Sequence, residues 1–167
     1  MKKILFLLFL ILAVIFLNSL IFAETTDVQI PSNTQITVKN IGEINSGQVK
    51  TGDFINFQVS QDLVINTQIV IKTNTPAIGE IIGIDVLTEL GGKIAVLSFR
   101  IMNIKINENQ SIPVVGNFTI QGKKNKAFAL PGGPLFAKVK NVIIPDGTEF
   151  KVMITESTTV KSMEVPD

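Results

Sequence analysis

The stretch IPDGTEFKV, residues 144–152, sets a turn directly ahead of a strand. Proline presets the backbone angle of a second turn position, aspartate tolerates the third, and Gly147 supplies the left-handed conformation that closes a hairpin with a bulge. Phe150, Val152 and Ile154 then alternate with Glu149 and Lys151, the period of a half-buried strand. Looser copies occur at VKTGDFINF (49–57), IKTNTPAIG (71–79) and INENQSIPV (106–114), with Gly52, Asn74 and Asn109 in the place of Gly147. Glycine and asparagine accept positive φ most readily. The copies start 22, 35 and 38 residues apart, so they mark a recurring turn and not a solenoid period. If all four follow one design, Phe57, Ile81, Val114 and Val152 share a core.

Between the turns the chain reads as sheet. Residues 77–87 and 94–106 are long, rich in Ile and Val, and joined by ELGGK, where Gly91 and Gly92 signal a tight hairpin. Further strands are expected at 34–39, 54–60, 112–120, 135–140 and 148–155. No window after the N-terminal segment carries helical periodicity with caps. The expected fold is all-β: a single small barrel or sandwich of about 7 to 9 mostly antiparallel strands. It occupies residues 34–156, and residues 24–33 and 157–167 are expected as loose polar ends.

The first 23 residues follow the plan of a secretory signal: the basic Lys2 and Lys3, an uncharged apolar run over residues 4–17, then the small Ala23 ahead of ETTD. Cleavage is expected after Ala23. Ile21 departs from the small residue preferred at its place, and an uncleaved segment 4–22 is just long enough to stay as a membrane anchor. With no Cys near the junction, lipid anchoring is excluded. The chain carries 15 Lys+Arg and 14 Asp+Glu, and the signal removes two lysines, leaving 13 against 14. A near-neutral chain has no global field for nucleic acid or an anionic surface. Without Cys, an exported domain of 144 residues depends on its core and not on disulfides.

Composition also bounds the chemistry. With no His and no Cys there is no Ser-His-Asp triad, no cysteine nucleophile and no usual zinc or copper site. Asp85 and Glu89 are the best carboxylate pair, but four residues along one strand span about 13 Å, beyond the roughly 5–9.5 Å that glycosidases use. Ser98 with Lys93 or Lys105 lacks a supporting spacing, and no calcium-loop run of acids occurs. The expectation is a non-enzymatic protein with no cofactor and no metal. Lys123, Lys124 and Lys126 cluster beside Gly122 as an anion contact or a solvated loop. Arg100, the single arginine, is either an interior charge or a side chain snorkelling from an edge strand.

The order seen in IVIKTNTPAIGEI followed by GGKIAVLSFRI resembles the C-terminal periplasmic β-barrel of the core-channel scaffold family of conjugation and type IV secretion systems, and of uncharacterised secreted bacterial barrels. The resemblance covers residues 47–156. It implies a cell-envelope barrel of a bacterium, without that family's proline-rich linker or a helix that crosses an outer membrane. The sequence-level expectation is therefore an exported, periplasmic structural or protein-interaction β module. Its partners would be other envelope proteins or an anionic envelope component, with membrane contact through an uncleaved N-terminal segment. The alternative is a binding module that holds a small apolar or glycan ligand at a barrel mouth built from the four turns.

Overall fold

A computed structural model describes residues 27–89, 92–123, 140–161 and 163–164. These form thirteen strands and no helix: β1 (Asp27–Ile30), β2 (Gln35–Asn40), β3 (Ile44–Asn45), β4 (Phe54–Val59), β5 (Leu63–Ile65), β6 (Gln68–Ile71), β7 (Pro76–Glu89), β8 (Gly92–Lys105), β9 (Ser111–Gln121), β10 (Ile143–Ile144), β11 (Glu149–Ile154), β12 (Thr158–Lys161) and β13 (Met163–Glu164). Strands β2, β4, β7, β8, β9 and β11 pair in chain order, every pair antiparallel, and β11 returns to β2 to close a barrel. The fold is thus a barrel and not a sandwich.

Strict alternation fills the interior. Ile36 and Val38 of β2, Ile55, Phe57 and Val59 of β4, and Phe150, Val152 and Ile154 of β11 are all buried. On β8 the inward residues run Leu97, Phe99, Ile101 and then Ile104, because the register shifts between Ile101 and Asn103. A bulge of one residue moves the inward phase along the strand. The four side chains expected to share a core, Phe57, Ile81, Val114 and Val152, do so.

Six strands enclose little space, and the rings of Phe57, Phe99, Phe118 and Phe150 occupy much of it, with centroids 4.9–5.9 Å apart. Two inward positions must lack a side chain to admit them. A Cβ on Gly79 would lie 2.8 Å from Cε2 of Phe57 and 2.7 Å from the Arg100 carbonyl oxygen. One on Gly116 would lie 2.9 Å from Cε2 of Phe118 and 2.6 Å from Cγ1 of Val152.

The repeated turn staples strand ends. In Pro31–Thr34, Lys50–Asp53, Lys72–Thr75 and Pro145–Thr148 the fourth N–H donates to the first carbonyl, at 3.0–3.4 Å. The third residue has positive φ: Asn33 at 63°, Gly52 at 93°, Asn74 at 65° and Gly147 at 75°. That residue's N–H donates to a neighbouring strand at Ile154, Ile81, Val59 and Asn40 respectively, and each of these residues returns its own N–H to the turn's fourth carbonyl. Each turn also opens a barrel strand, so β2 and β11 cap each other and β4 and β7 do likewise. The hydroxyls of Thr34, Thr75 and Thr148 lock three turns by donating to the first carbonyl, at 2.6–2.7 Å. In the fourth, the Asp53 carboxylate accepts from Lys50 N–H at 2.7 Å.

This arrangement corrects the sequence reading at three points. Asn109 is not a member of the set and is not at positive φ. It sits in the β8–β9 hairpin, where its N–H donates to Asn107 Oδ1 at 2.9 Å and the loop closes on itself by bonds to the Gln110 carbonyl. The true fourth member, PSNT at 31–34, lies in the segment expected to be loose. Pro145 is the first turn residue and not the second, because the chain arrives from β10, which pairs with β3 and not with β11. Gly92 opens β8 opposite Glu89, while Gly91 lies outside the described residues.

The two ends assigned to loose polar segments also need correction over their described parts. Strands β1 and β12 pair with each other from Asp27↔Lys161 to Ile30↔Thr158, and Val28, Ile30 and Val160 are buried. They close the barrel end where β2, β7 and β9 begin, here termed rim A, together with the sheet β5–β6–β13. The β5–β6 hairpin, not expected from sequence, turns at Asn66 and Thr67, both at positive φ. The opposite end, rim B, is covered by β3 and β10 through Ile44, Val142 and Ile144. The residues of the signal and 135–139 of an expected strand lie outside the described residues; Lys140 is described and is not in a strand.

Candidate functional site

The four turns do not converge on one mouth. Gly52 and Gly147 lie at rim B, and Asn74 lies at rim A, as does the loop that carries Asn109. With both ends covered and four rings inside, the barrel surface is what the molecule presents, and rim B is its most distinctive part.

Strands β7 and β8 run past the barrel as an arm. Pairing of β7 with β4 ends at Phe54↔Glu80, reinforced by the bonds between Ile81 and the turn at Gly52. From Ile82 to Glu89, β7 is paired to β8 alone among the described residues. The two sides of the arm differ. Ile94, Ala95 and Val96 on β8 are buried, whereas Ile82, Val86 and Leu87 on β7 are 43%, 52% and 41% exposed. A strand edge that no described strand pairs, beside exposed aliphatic side chains, can accept a further strand through main-chain hydrogen bonds.

Beside the arm, residues 120–123 and 140–143 line a groove of about 550 Å³. The two walls meet at Gly122, whose N–H donates to the Ala95 carbonyl at 2.8 Å. A Cβ there would lie 3.3 Å from the carbonyl oxygens of both Ala95 and Lys140. The 140–143 wall is pinned from behind: Val142 N–H donates to Ser46 Oγ at 2.9 Å, and Ser46 N–H donates to the Val142 carbonyl at 3.0 Å. Lys123 and Lys140 are exposed on opposite walls, and Ile143 is 54% exposed. Of the proposed lysine contact, Lys123 lines the groove; Lys124 and Lys126 lie outside the described residues.

Rim B also holds Ile41 and Phe54, the latter 70% exposed. Sequence parity could have found Phe54, since Ile55, Phe57 and Val59 point inward and the residue before them must point out. Lys140 was missed, although residues 122–145 hold five lysines and no acid.

The other sequence candidates lie apart from this groove. Arg100 lies neither inside the barrel nor on an edge: β8 is paired on both sides, and the guanidinium sits opposite Glu80, with Nη2 at 2.6 Å and Nε at 3.1 Å from Oε2. Such a half-exposed cross-strand pair contributes about 0–1 kcal/mol. Ser98 Oγ is 3.1 Å from Thr119 Oγ1. Asp85 and Glu89 both fall on the β7 arm, and no cluster of three metal-ligating side chains exists among the described residues. The Asp62 carboxyl, at rim A, is held below the usual range by hydrogen bonds from the Thr73 backbone and side chain and by the nearby Lys72 charge. Comparison with family models, with curated proteins and with solved structures finds no match.

Proposed function

We propose that this chain is a non-enzymatic module of a bacterial cell envelope, exported through the secretory route to the periplasm, and that it works as a structural or protein-interaction element. The observation that carries the reading is the eight-residue edge of β7 from Ile82 to Glu89, held beyond a closed barrel and bearing exposed Ile82, Val86 and Leu87. A partner strand from another envelope protein would gain main-chain hydrogen bonds along this edge, with apolar contacts at alternate positions supplying selectivity. The N-terminal segment with its small residue at Ala23, and the resemblance of residues 47–156 to the scaffold barrel of secretion channels, support the same setting. A ligand inside the barrel mouth is the weaker reading, since the interior is filled by phenylalanine rings.

The test is photocrosslinking from Val86 in the intact envelope of an expressing bacterium, paired with native mass spectrometry of the processed chain, residues 24–167. A discrete protein adduct at Val86, absent when the photoreactive group is moved to exposed Lys151 on the barrel wall, is expected. Failure to form that adduct, or a small molecule retained in stoichiometric amount, would overturn the reading.

A further inference from the structure

We propose that the outer wall of the barrel carries a saccharide-binding groove between Ile78 and the β8–β9 hairpin, where side-chain carboxamides hold the hydroxyls of an uncharged sugar ring. The groove has a volume of about 260 Å³ and lies at rim A, and its whole lining falls among the described residues. The inference does not rest on the exported-module reading.

A β-bulge builds one wall. Gly79 pairs with Ile101 but Ile78 pairs with Asn103, so Met102 is an extra residue of β8 against β7. Strict alternation from the buried Ile101 would send Asn103 inward. The extra residue instead leaves Asn103 exposed beside Ile78 and returns Ile104 to the interior. Bulges recur beside functional sites because they re-aim a side chain without opening the sheet. The facing wall is the hairpin at residues 107–110, fixed by four hydrogen bonds. The N–H groups of Ile106 and Asn107 donate to the Gln110 carbonyl at 3.0 and 3.2 Å, and Asn109 N–H donates to Asn107 Oδ1 at 2.9 Å. Gln110 Nε2 donates to the Thr159 carbonyl of β12 at 2.9 Å, which ties the hairpin to the cover of rim A.

These bonds use one end of the Asn107 and Gln110 carboxamides and leave the other end to a ligand. The Asn103 and Asn109 carboxamides, which line the same groove, bond to nothing among the described residues. A carboxamide donates from its nitrogen and accepts at its oxygen, and a hydroxyl also does both, so neighbouring sugar hydroxyls match a cluster of amides. An anion would need donors alone and would meet Glu108 in the lining; a cation would need acceptors alone and would meet Lys105. Those two charges also leave the groove without a net charge. Ile78, 37% exposed, offers an apolar floor to the C–H face of a sugar ring. An extended peptide also donates and accepts, but its hold comes chiefly from a free main-chain edge. Here β8 is paired by β7 and β9, and Ile78 lies between β4 and β8, so side-chain amides supply the contacts.

Titration of the isotope-labelled processed chain, residues 24–167, with chitotriose and separately with maltotriose, followed by NMR, decides the matter. These residues contain every strand of the barrel. Saturable shifts of the Asn103 and Asn109 side-chain amide signals are expected with at least one trisaccharide, at a dissociation constant of about millimolar order for so small and open a groove. Asn103→Ala should weaken that binding about fivefold or more. Asn56→Ala should leave it unchanged, since Asn56 pairs with Ile78 from β4 but does not line the groove. Both positions are exposed, and melting of each variant with wild type checks that folding is intact. No saturable shift with either trisaccharide, an unchanged Asn103→Ala, or an equal loss in Asn56→Ala overturns the proposal. Equal shifts with trialanine mean a peptide site, and equal shifts with glycerol at matched hydroxyl concentration mean unselective solvation; each also overturns it. The Val86 crosslink is unaffected by these outcomes, so the two readings fail separately.

Discussion

Asn40→Asp should cost the barrel about 3–5 kcal/mol at neutral pH. Asn40 ends β2 and is almost fully buried, at 1% exposure. Its Nδ2 donates to the Gly42 carbonyl at 2.7 Å and to the Pro145 carbonyl at 2.9 Å, which ties the end of β2 to the turn before β11, and its Oδ1 accepts no hydrogen bond. A carboxylate of the same shape can donate to neither carbonyl and finds no donor for its own oxygens. Leaving a buried polar group unsatisfied costs about 1–3 kcal/mol, more for a charged one; here the Gly42 carbonyl loses its side-chain donor, the Pro145 carbonyl keeps the Thr148 N–H and hydroxyl, and the buried carboxylate itself carries most of the penalty. The loss is capped because the introduced group can protonate instead: at pH 7 that costs about 4 kcal/mol from an unfolded value of about 3.9. The protonated acid then restores one of the two bonds. Its folded pKa is raised, so the folded state binds the extra proton and the variant regains stability relative to wild type as pH falls. The gap should narrow by up to about 1.4 kcal/mol per pH unit until the unfolded value is approached. Urea denaturation of residues 24–167 for both proteins, at pH 7 and at mildly acidic pH, reads both quantities. A variant that unfolds with wild type at pH 7, or a gap that widens in acid, refutes the assignment of Asn40 as the donor that joins these turns.

Gly79→Ala should destabilise by about 1–3 kcal/mol, because the new Cβ meets a backbone carbonyl on β8 and a packed ring, neither of which can yield freely; an unchanged urea midpoint contradicts the close approach. Gly147→Val should cost more than about 1 kcal/mol, for it forces a β-branched residue to a φ of 75°, although nothing lies within 4 Å of the added Cβ. Asn74→Gly should hold or raise the melting temperature while Asn109→Gly lowers it slightly, since only Asn74 occupies the conformation that glycine relieves. For Asp62, whose folded pKa is depressed, the stabilisation of the Thr73 turn is present above the unfolded value and is lost as pH falls through the folded one. Thermal melts of wild type and Asp62→Asn should therefore differ at neutral pH and converge in strong acid, and a difference that persists there would exclude the carboxylate as its source.

The sequence by itself determined the strand class, most of the barrel strands and the inward face of each. Alternation is a local property, and in Phe150-Lys-Val-Met-Ile154 or Ile55-Asn-Phe-Gln-Val59 one face is apolar whatever the strand pairs with. It also located the positive φ of Gly52, Asn74 and Gly147, because few residues tolerate that angle. Only the tertiary structure decided what those turns do. The bonds that define them run from Gly147 to Asn40 and from Asn33 to Ile154, across more than a hundred residues, and no local pattern separates PSNT at 31–34 from an ordinary loop. The same distance hid β1 and β12. Four residues such as DVQI bury Val28 and Ile30 only when a partner from the far end of the chain completes the ladder, so their order is a consequence of closure and not of composition. Rim B was illegible for a related reason: Lys123 and Lys140 line one groove, and Phe54 shares an end with Ile143, only once the barrel fixes which strand ends coincide.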